Sequence, residues 1–477
     1  MSDPCDLTAV EALEQIRARQ LSPVELFESC VERIDAINGT VNAVVAIDLE
    51  GGREHARRTE KTLQQGGDIG LLGGLPTGIK DLEATAGLRT TWGSLLFKDD
   101  IPEQDDQMVA DIRSDGGNIF CKTNTPEFGA GGNTVNRVYG ATGNPFNPEL
   151  TCAGSSGGTA VALATGMMPV ATGSDYGGSL RTPAAFCGIT GFRPSPGTVP
   201  SVHAGSALTP FPVLGPMGRT VADAHLLLRS QAGFDSRDPF SSSDKTIPST
   251  LESDDLGSLR VAWSADLGCC PIDSGIKATF LSRMNRLKSA FKECDESAPP
   301  MDNVHSVFEV LRGLNYVGAH AERLKENRDL LGPNVIDNTE RGLLLTAEQI
   351  AHAYTQHAEI YRNTLSFFKD VDLLICPAAA VSPFPHSQLT VTEINGEKMP
   401  TYMRWLALSY VPTTTMCCIC VLPCGLDDSG MPFGIQVIGP IGSDARVLAA
   451  ASSIEQFFAA DESTRRPLPD IKMLSGK

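Results

Sequence analysis

Three observations in the sequence predict an α/β protein. Short apolar runs of strand character alternate with longer stretches of helical periodicity from one end of the chain to the other. Of 477 residues, 41% are hydrophobic and 20% charged, the balance of a globular chain able to bury a large core. No internal repeat or low-complexity tract interrupts the alternation.

The elements follow in order. Thr8-Ala9-Val10-Glu11 and Ser22-Pro23-Val24-Glu25 both have capping-box spacing, and the second places proline at a first helical position. The helix after Ser22 carries Leu26, Phe27, Cys30, Val31, Ile34 and Ile37 on one face, and Asn38-Gly39 is its expected stop. From about Gly73 to Pro200 the chain becomes dense in Gly, Ser and Thr, with short apolar runs such as Met168 to Thr172 between glycine-rich turns. Thr220-Val221-Ala222-Asp223 opens a helix that ends near Gly233, and the polar stretch from Asp235 to Asp255 reads as a surface loop. Beyond it, Leu259 to Trp263, Val371 to Cys376 and Phe433 to Ile438 read as buried strands, and Val304 to Arg328 and Thr346 to Phe368 as helices.

Charge and cysteine content narrow the function classes. Lys and Arg number 39 against 57 Asp and Glu, a formal charge of −18, which repels phosphate backbones and anionic lipid. Unaided binding to nucleic acid or to a membrane is therefore not expected, and no apolar run reaches transmembrane length. The opening Met1-Ser2-Asp3-Pro4-Cys5-Asp6 has neither a basic nor an apolar leader region, and thirteen cysteines are an odd number. Reduced thiols in a cytoplasm are the expectation. Cys417, Cys418, Cys420 and Cys424 contain one C-x-x-C but no second pair at zinc spacing, so they read as small buried hydrophobes, and no metal is expected.

Chemistry concentrates in three segments of the glycine-rich half. Gly74-Leu75-Pro76-Thr77-Gly78-Ile79-Lys80-Asp81 ends a short apolar stretch on a lysine. It superficially matches a phosphate loop, but Asp81 stands where a Ser or Thr magnesium ligand is needed. A lysine snorkelling to the surface is the plain alternative for Lys80. Ala153-Gly154-Ser155-Ser156-Gly157-Gly158 leads into an alanine-rich helix, which puts Ser155 and Ser156 at a helix N-terminus, where free N–H groups favour negative charge. In Gly173-Ser174-Asp175-Tyr176-Gly177-Gly178-Ser179-Leu180-Arg181-Thr182-Pro183 two glycines precede a serine after a buried strand. Such a turn can converge successive N–H groups on one point, as an oxyanion hole requires, although an ordinary strand-to-loop turn would have the same sequence.

Other serine-hydrolase signatures fit poorly. Ser156 is central in a formal G-x-S-x-G, but Asn144-Pro145-Phe146-Asn147-Pro148 stands where a strand should lead in. Ser242-Ser243-Asp244-Lys245 matches S-x-x-K inside the polar loop, without an apolar setting. No histidine adjoins the three segments, so a Ser-His-Asp relay has no base.

Together the segments resemble the amidase signature family: a Gly/Ser-rich stretch with two serines, a Gly-Gly-Ser followed by arginine, and a lysine well upstream. Ser155 and Ser179 are 24 residues apart and Lys80 and Ser155 are 75 apart, both typical of that family. The likeness continues through Lys122-Thr123-Asn124-Thr125-Pro126-Glu127-Phe128, Gly188 to Ser195 and Gly215 to Thr220, thins after the polar loop, and returns from Pro432 to Gly439. One departure is Cys152-Ala153-Gly154, where the family more often has Pro-Gly-Gly; one added methyl predicts a small local adjustment.

The resemblance implies an amidase signature fold, a large mixed central sheet flanked by helices, as one domain over residues 1–477. Its motif-rich half spans 70–235, its polar loop 235–257 and its variable, pocket-forming half 258–477. It implies an amidase acting on a small-molecule amide, with Ser179 as nucleophile, Ser155 after a cis peptide bond as proton relay, and Lys80 as base. Backbone N–H groups of Tyr176, Gly177, Gly178 and Ser179 would form the oxyanion hole. Ser156 and Ser174 would orient the relay, while Asp175 and Arg181 would brace the loop. Substrate contacts are expected from Gly129, Tyr316, Tyr402 and Trp405. No metal or organic cofactor is implied, and a homodimer is compatible with the family. Two alternatives stand beside this reading. One is the A subunit of a glutamine-dependent tRNA amidotransferase, against which Arg181-Thr182-Pro183 replaces the usual Arg-Gln-Pro. The other is an inactive binding or scaffold homologue.

Overall fold

Both N-terminal capping boxes form as their spacing predicts, opening helices Ala9–Arg17 and Pro23–Val41. The second helix runs through Asn38-Gly39 and stops at Asn42, which takes the left-handed conformation with φ of 51°. Asn38 does not end the helix because its side chain is used further on: it accepts the N–H groups of Ala43 and Val44 and donates to the Val44 carbonyl. Gly39 meets no neighbour within 4 Å, so its cost is only the weak helix propensity of glycine, about 1 kcal/mol. The computed structural model describes residues 3–202, 208–244 and 246–476.

The centre is a mixed sheet of eleven strands. In chain order they are β1 (Val44–Ile47), β2 (Pro76–Lys80), β3 (Asn118–Thr123), β4 (Val170–Asp175), β5 (Thr190–Arg193), β6 (Val213–Gly218), β7 (Arg260–Trp263), β8 (Glu293–Glu296), β9 (Leu373–Pro377), β10 (Cys418–Leu426) and β11 (Pro432–Gly439). Across the sheet they run β1-β3-β2-β4-β6-β5-β10-β11-β9-β7-β8. The expected strands near 259, 371 and 433 are β7, β9 and β11, and the expected long helices are Val304–Asn327 and Ala347–Phe367. The stretch from 235 to 255 carries no helix or strand among its described residues.

Helices flank this sheet and fill its cores. Phe27, Ile34 and Ile37 from helix Pro23–Val41 pack with Phe120 of β3 and Ala171 of β4. Ile375, Ile419 and Val437 from β9, β10 and β11 share a second core with Phe280 and Leu448. Cys417, Cys418, Cys420 and Cys424 are buried thiols at and along β10. No helix among the described residues is long and apolar enough to cross a membrane.

Candidate active site

Parallel neighbours β2 and β4 bring the chemistry to one edge of the sheet. Their register pairs Thr77 with Val170 and Gly78 with Ala171, so their carboxyl ends lie side by side. Lys80 is the last residue of β2, and Ser174 and Asp175 close β4. Carboxyl ends of strands are where open α/β sheets hold ligands. The third segment arrives through helix Gly157–Ala164, whose N-cap is Ser156. Its first turn lies hard against β3's exit: a side chain at Gly158 would place Cβ 2.2 Å from the Asn124 nitrogen, so only glycine lets the helix approach.

Lys80 is fully buried and points at hydroxyls. Its Nζ lies 2.8 Å from Ser155 Oγ, 2.8 Å from Ser156 Oγ and 2.9 Å from Ser174 Oγ. Burial brings the ammonium down to about 8, against the pull of the Glu83 and Asp175 carboxylates. A neutral amine has two N–H donors and one lone pair, so with three hydroxyl neighbours one of them must donate to it. Hydroxyl-to-amine donation is the geometry of a proton path into Lys80.

The peptide bond between Gly154 and Ser155 is cis. Just before it, Ala153 is held at φ of 61°, the left-handed region that suits glycine. The departure from Pro-Gly-Gly therefore costs more than a methyl's worth of space, roughly 1–2 kcal/mol of backbone strain. Hydrogen bonds on both sides hold it there: its N–H donates to Thr151 Oγ1 at 3.0 Å and its carbonyl accepts from Thr134 Oγ1 at 2.7 Å.

Asp175 organises the loop that carries Ser179. Its buried carboxylate accepts the N–H groups of Gly178 at 2.9 Å and Leu180 at 3.1 Å, and pairs with Arg181 at 2.9 Å and Arg193 at 3.1 Å. Burial alone would push this carboxyl up, but the two guanidiniums outweigh it and hold it well below the usual carboxylate range. Arg181 continues across the molecule to the Ser409 carbonyl, Thr413 Oγ1 and Gln436 Oε1. Gly178 sits at φ of 120°, and a Cβ there would lie 2.3 Å from that of Ser409.

One expectation is corrected by this geometry. The Gly178 N–H is already spent on Asp175, so it is not free to bind an oxyanion. The N–H groups of Tyr176, Gly177 and Ser179 remain, for which the described residues provide no acceptor. Ser179 is half-buried, and its carbonyl accepts the Ser156 N–H at 3.3 Å, which ties the two serine segments together. No hydrogen bond joins the Ser155 and Ser179 hydroxyls among the described residues; both open on one cavity.

That cavity, of about 900 Å³, is walled by Trp92, Phe97, Phe128, Tyr176 and Tyr316, with Arg312 and Arg323 among them. Gly129 and Tyr316 line it. Tyr402 and Trp405 do not. The Tyr402 hydroxyl stands behind the wall, accepting from Arg312 and Asn338. Trp405 is buried with its ring edge-on to Phe384, because its indole fills core space beside Gly132.

Sequence reasoning missed two features. Arg312 was legible as a charge four residues after Phe308 and next to Leu311, on the apolar face of its helix. Lys122 has no such signal: it is fully buried on β3, donating to the Glu83 carbonyl and Thr85 Oγ1. No cluster of His, Cys, Asp and Glu among the described residues has the arrangement of a metal site.

The mixed sheet thus presents a buried lysine among serine hydroxyls, and none of these hydroxyls is hydrogen-bonded to a histidine among the described residues. The chain belongs to the amidase family, whose model matches residues 25–448. It is 31% identical over 455 residues to an acylamidase of Rhodococcus erythropolis, covering 94% of this chain and 95% of that one. With the A subunit of the glutamyl-tRNA(Gln) amidotransferase of Halothermothrix orenii it shares 29% identity, over 97% of this chain and 99% of the relative. A bacterial aryl acylamidase of the amidase signature enzymes superimposes with a TM-score of 0.88 at 27% identity, covering 94% and 96%.

Proposed function

We propose that this amidase hydrolyses small-molecule amides through an acyl-enzyme on Ser179, with Ser155 as proton relay and Lys80 as base. The observation that carries the reading is the buried Lys80 Nζ, 2.8 Å from Ser155 Oγ and brought down to about 8. A serine hydroxyl is a weak nucleophile and needs a base, and lysine serves as one only when neutral.

In the forward half-reaction Ser179 Oγ bonds to the amide carbon while its proton passes to Ser155 and Ser155's own proton passes to Lys80. Charge gathers on the carbonyl oxygen, beside the N–H groups of Tyr176, Gly177 and Ser179, each worth roughly 2.7–4 kcal/mol to the transition state. The C–N bond then breaks as Ser155 protonates the departing nitrogen and recovers a proton from Lys80. Water repeats the sequence on the ester, releasing the acid and free Ser179. Ser156 and Ser174 hold Lys80 Nζ in place, and Asp175 with Arg181 keeps the loop in shape.

A fluorophosphonate probe tests this directly. Mass spectrometry is expected to find the adduct on Ser179, and Ser179→Ala to lose both the label and hydrolysis, by roughly 10⁶-fold. An adduct on Ser155 or Ser156 would overturn the assignment. The likeness to an amidotransferase component supports a second reading, in which the released ammonia goes to a partner. Amide hydrolysis by the isolated chain at rates unaffected by partner proteins or tRNA argues against it.

A further inference from the structure

We propose that the cavity over Ser179 is built for amides that carry a carboxylate, and that Arg312 is the residue that binds it; this rests on the acyl-enzyme reading above and names its substrate class. Arg312 is 5% exposed, on helix Val304–Asn327, and lines the same cavity as Ser155 and Ser179. All its acceptors are neutral. Nε donates to Asn338 Oδ1 at 3.0 Å, and Nη2 to the hydroxyls of Tyr316 at 3.1 Å and Tyr402 at 3.0 Å. Nη1 has no acceptor among the described residues, and no carboxylate among them pairs with this guanidinium.

A guanidinium withdrawn from water demands compensation. Part comes from rings: its Cζ lies 4.7 Å from the centre of Tyr316 and 5.3 Å from that of Tyr176. These faces hold the guanidinium in place and leave the Nη1 edge as its remaining donor. Arg323, three turns further along the helix, also lines the cavity, lying 5.3 Å and 5.7 Å from the rings of Phe128 and Phe97. Its hydrogen bonds go to the Ala319 carbonyl and His320 Nδ1.

The acids around the cavity have other partners. Asp175 holds Arg181 and Arg193, Asp105 holds Arg113 and the Ala86 N–H, and Asp106 accepts the Ala84 N–H. The cations of the lining, Arg312 and Arg323, both come from helix Val304–Asn327 and stand against aromatic rings. In a chain of net charge −18 an anionic substrate needs such a local cation to enter. A carboxylate is the planar anion that a fixed guanidinium edge hydrogen-bonds best.

Matched amides test the inference. The mono-4-nitroanilide of succinic acid is compared with butyric 4-nitroanilide, and 4-(butyrylamino)benzoate with its 4-methyl counterpart. The wild type is expected to prefer one carboxylate member about tenfold or more in kcat/KM, mainly through KM, as a charge-assisted hydrogen bond allows. In Arg312→Gln the ratio of charged to neutral kcat/KM should fall about 10- to 100-fold, and Arg312→Lys should keep more of it. Equal or inverted preference in the wild type overturns the proposal without any variant. A preference that persists in Arg312→Gln overturns the role of Arg312. If no amide of the panel is consumed while a fluorophosphonate still labels Ser179, the substrate class fails and the acyl-enzyme reading stands. If Ser179 is not labelled, the acyl-enzyme reading itself fails, and this inference with it.

Discussion

Two lysines lie fully buried on adjacent strands, Lys80 at the end of β2 and Lys122 on β3, and their surroundings differ. Lys80 faces three serine hydroxyls; Lys122 faces a carbonyl and a threonine, with Asp81, Glu83 and Asp106 in electrostatic reach. Burial lowers both, but three carboxylates oppose it at Lys122. At Lys80 the opposing carboxylates are Glu83, itself pushed up to about 7 by burial, and Asp175, already neutralised by two arginines. On the proposed reading Lys80 is the base because hydroxyls surround its amine, whereas Lys122 is a structural cation among Asp81, Glu83 and Asp106.

The largest effect that would break this contrast is at Lys80. Lys80→Ala should lower amide kcat/KM by about 10²–10⁴-fold, the usual worth of a general base. In the wild type, kcat/KM should fall tenfold per pH unit below about 8, since protonation of the lowered lysine removes the acceptor. An acid limb that survives unchanged in Lys80→Ala would show that another group sets it.

Ser155 sharpens the same contrast by testing whether the hydroxyl beside Lys80 carries protons. An amine leaves only when protonated, whereas a phenolate leaves unaided. In Ser155→Ala the ester-to-amide ratio of kcat/KM should therefore rise, by a part of the about 10²–10⁴-fold that acid assistance supplies. The comparison is made where a burst experiment shows that acylation limits both reactions. An unchanged ratio would leave Ser155 a structural residue.

Lys122 should give the smallest effect on rate. Lys122→Met strands Asp81 and Glu83 in the core, so chemical unfolding should show a loss of about 3–5 kcal/mol. The folded fraction should keep the acid limb near its wild-type position. A limb that moved away with Lys122 would mean that the two lysines titrate as one system.

How much of this was legible follows from what each residue contacts. The strands and long helices were readable because their apolar period is local, and the segments bearing Lys80, Ser155 and Ser179 because glycine marks unusual backbone. Asn38-Gly39 misled because the Asn38 side chain works beyond the helix, on Ala43 and Val44. The Gly178 N–H could not be told from its neighbours in sequence, since its commitment depends on where the Asp175 carboxylate turns. Lys122 was silent because its partners are set by the pairing of β2 with β3, and aromatic type alone could not separate Tyr316 from Trp405.

The long reach of Arg181 also has a meaning in time. A chain still being synthesised displays Lys80 and all its active-site serines long before Ser409, Thr413 and Gln436 exist to receive that guanidinium. Until they emerge, those three contacts of Arg181 cannot form. The loop bearing Ser179 therefore cannot be fully braced by the first half of the chain alone, and a nascent chain carries these residues before all the bonds that hold them can exist.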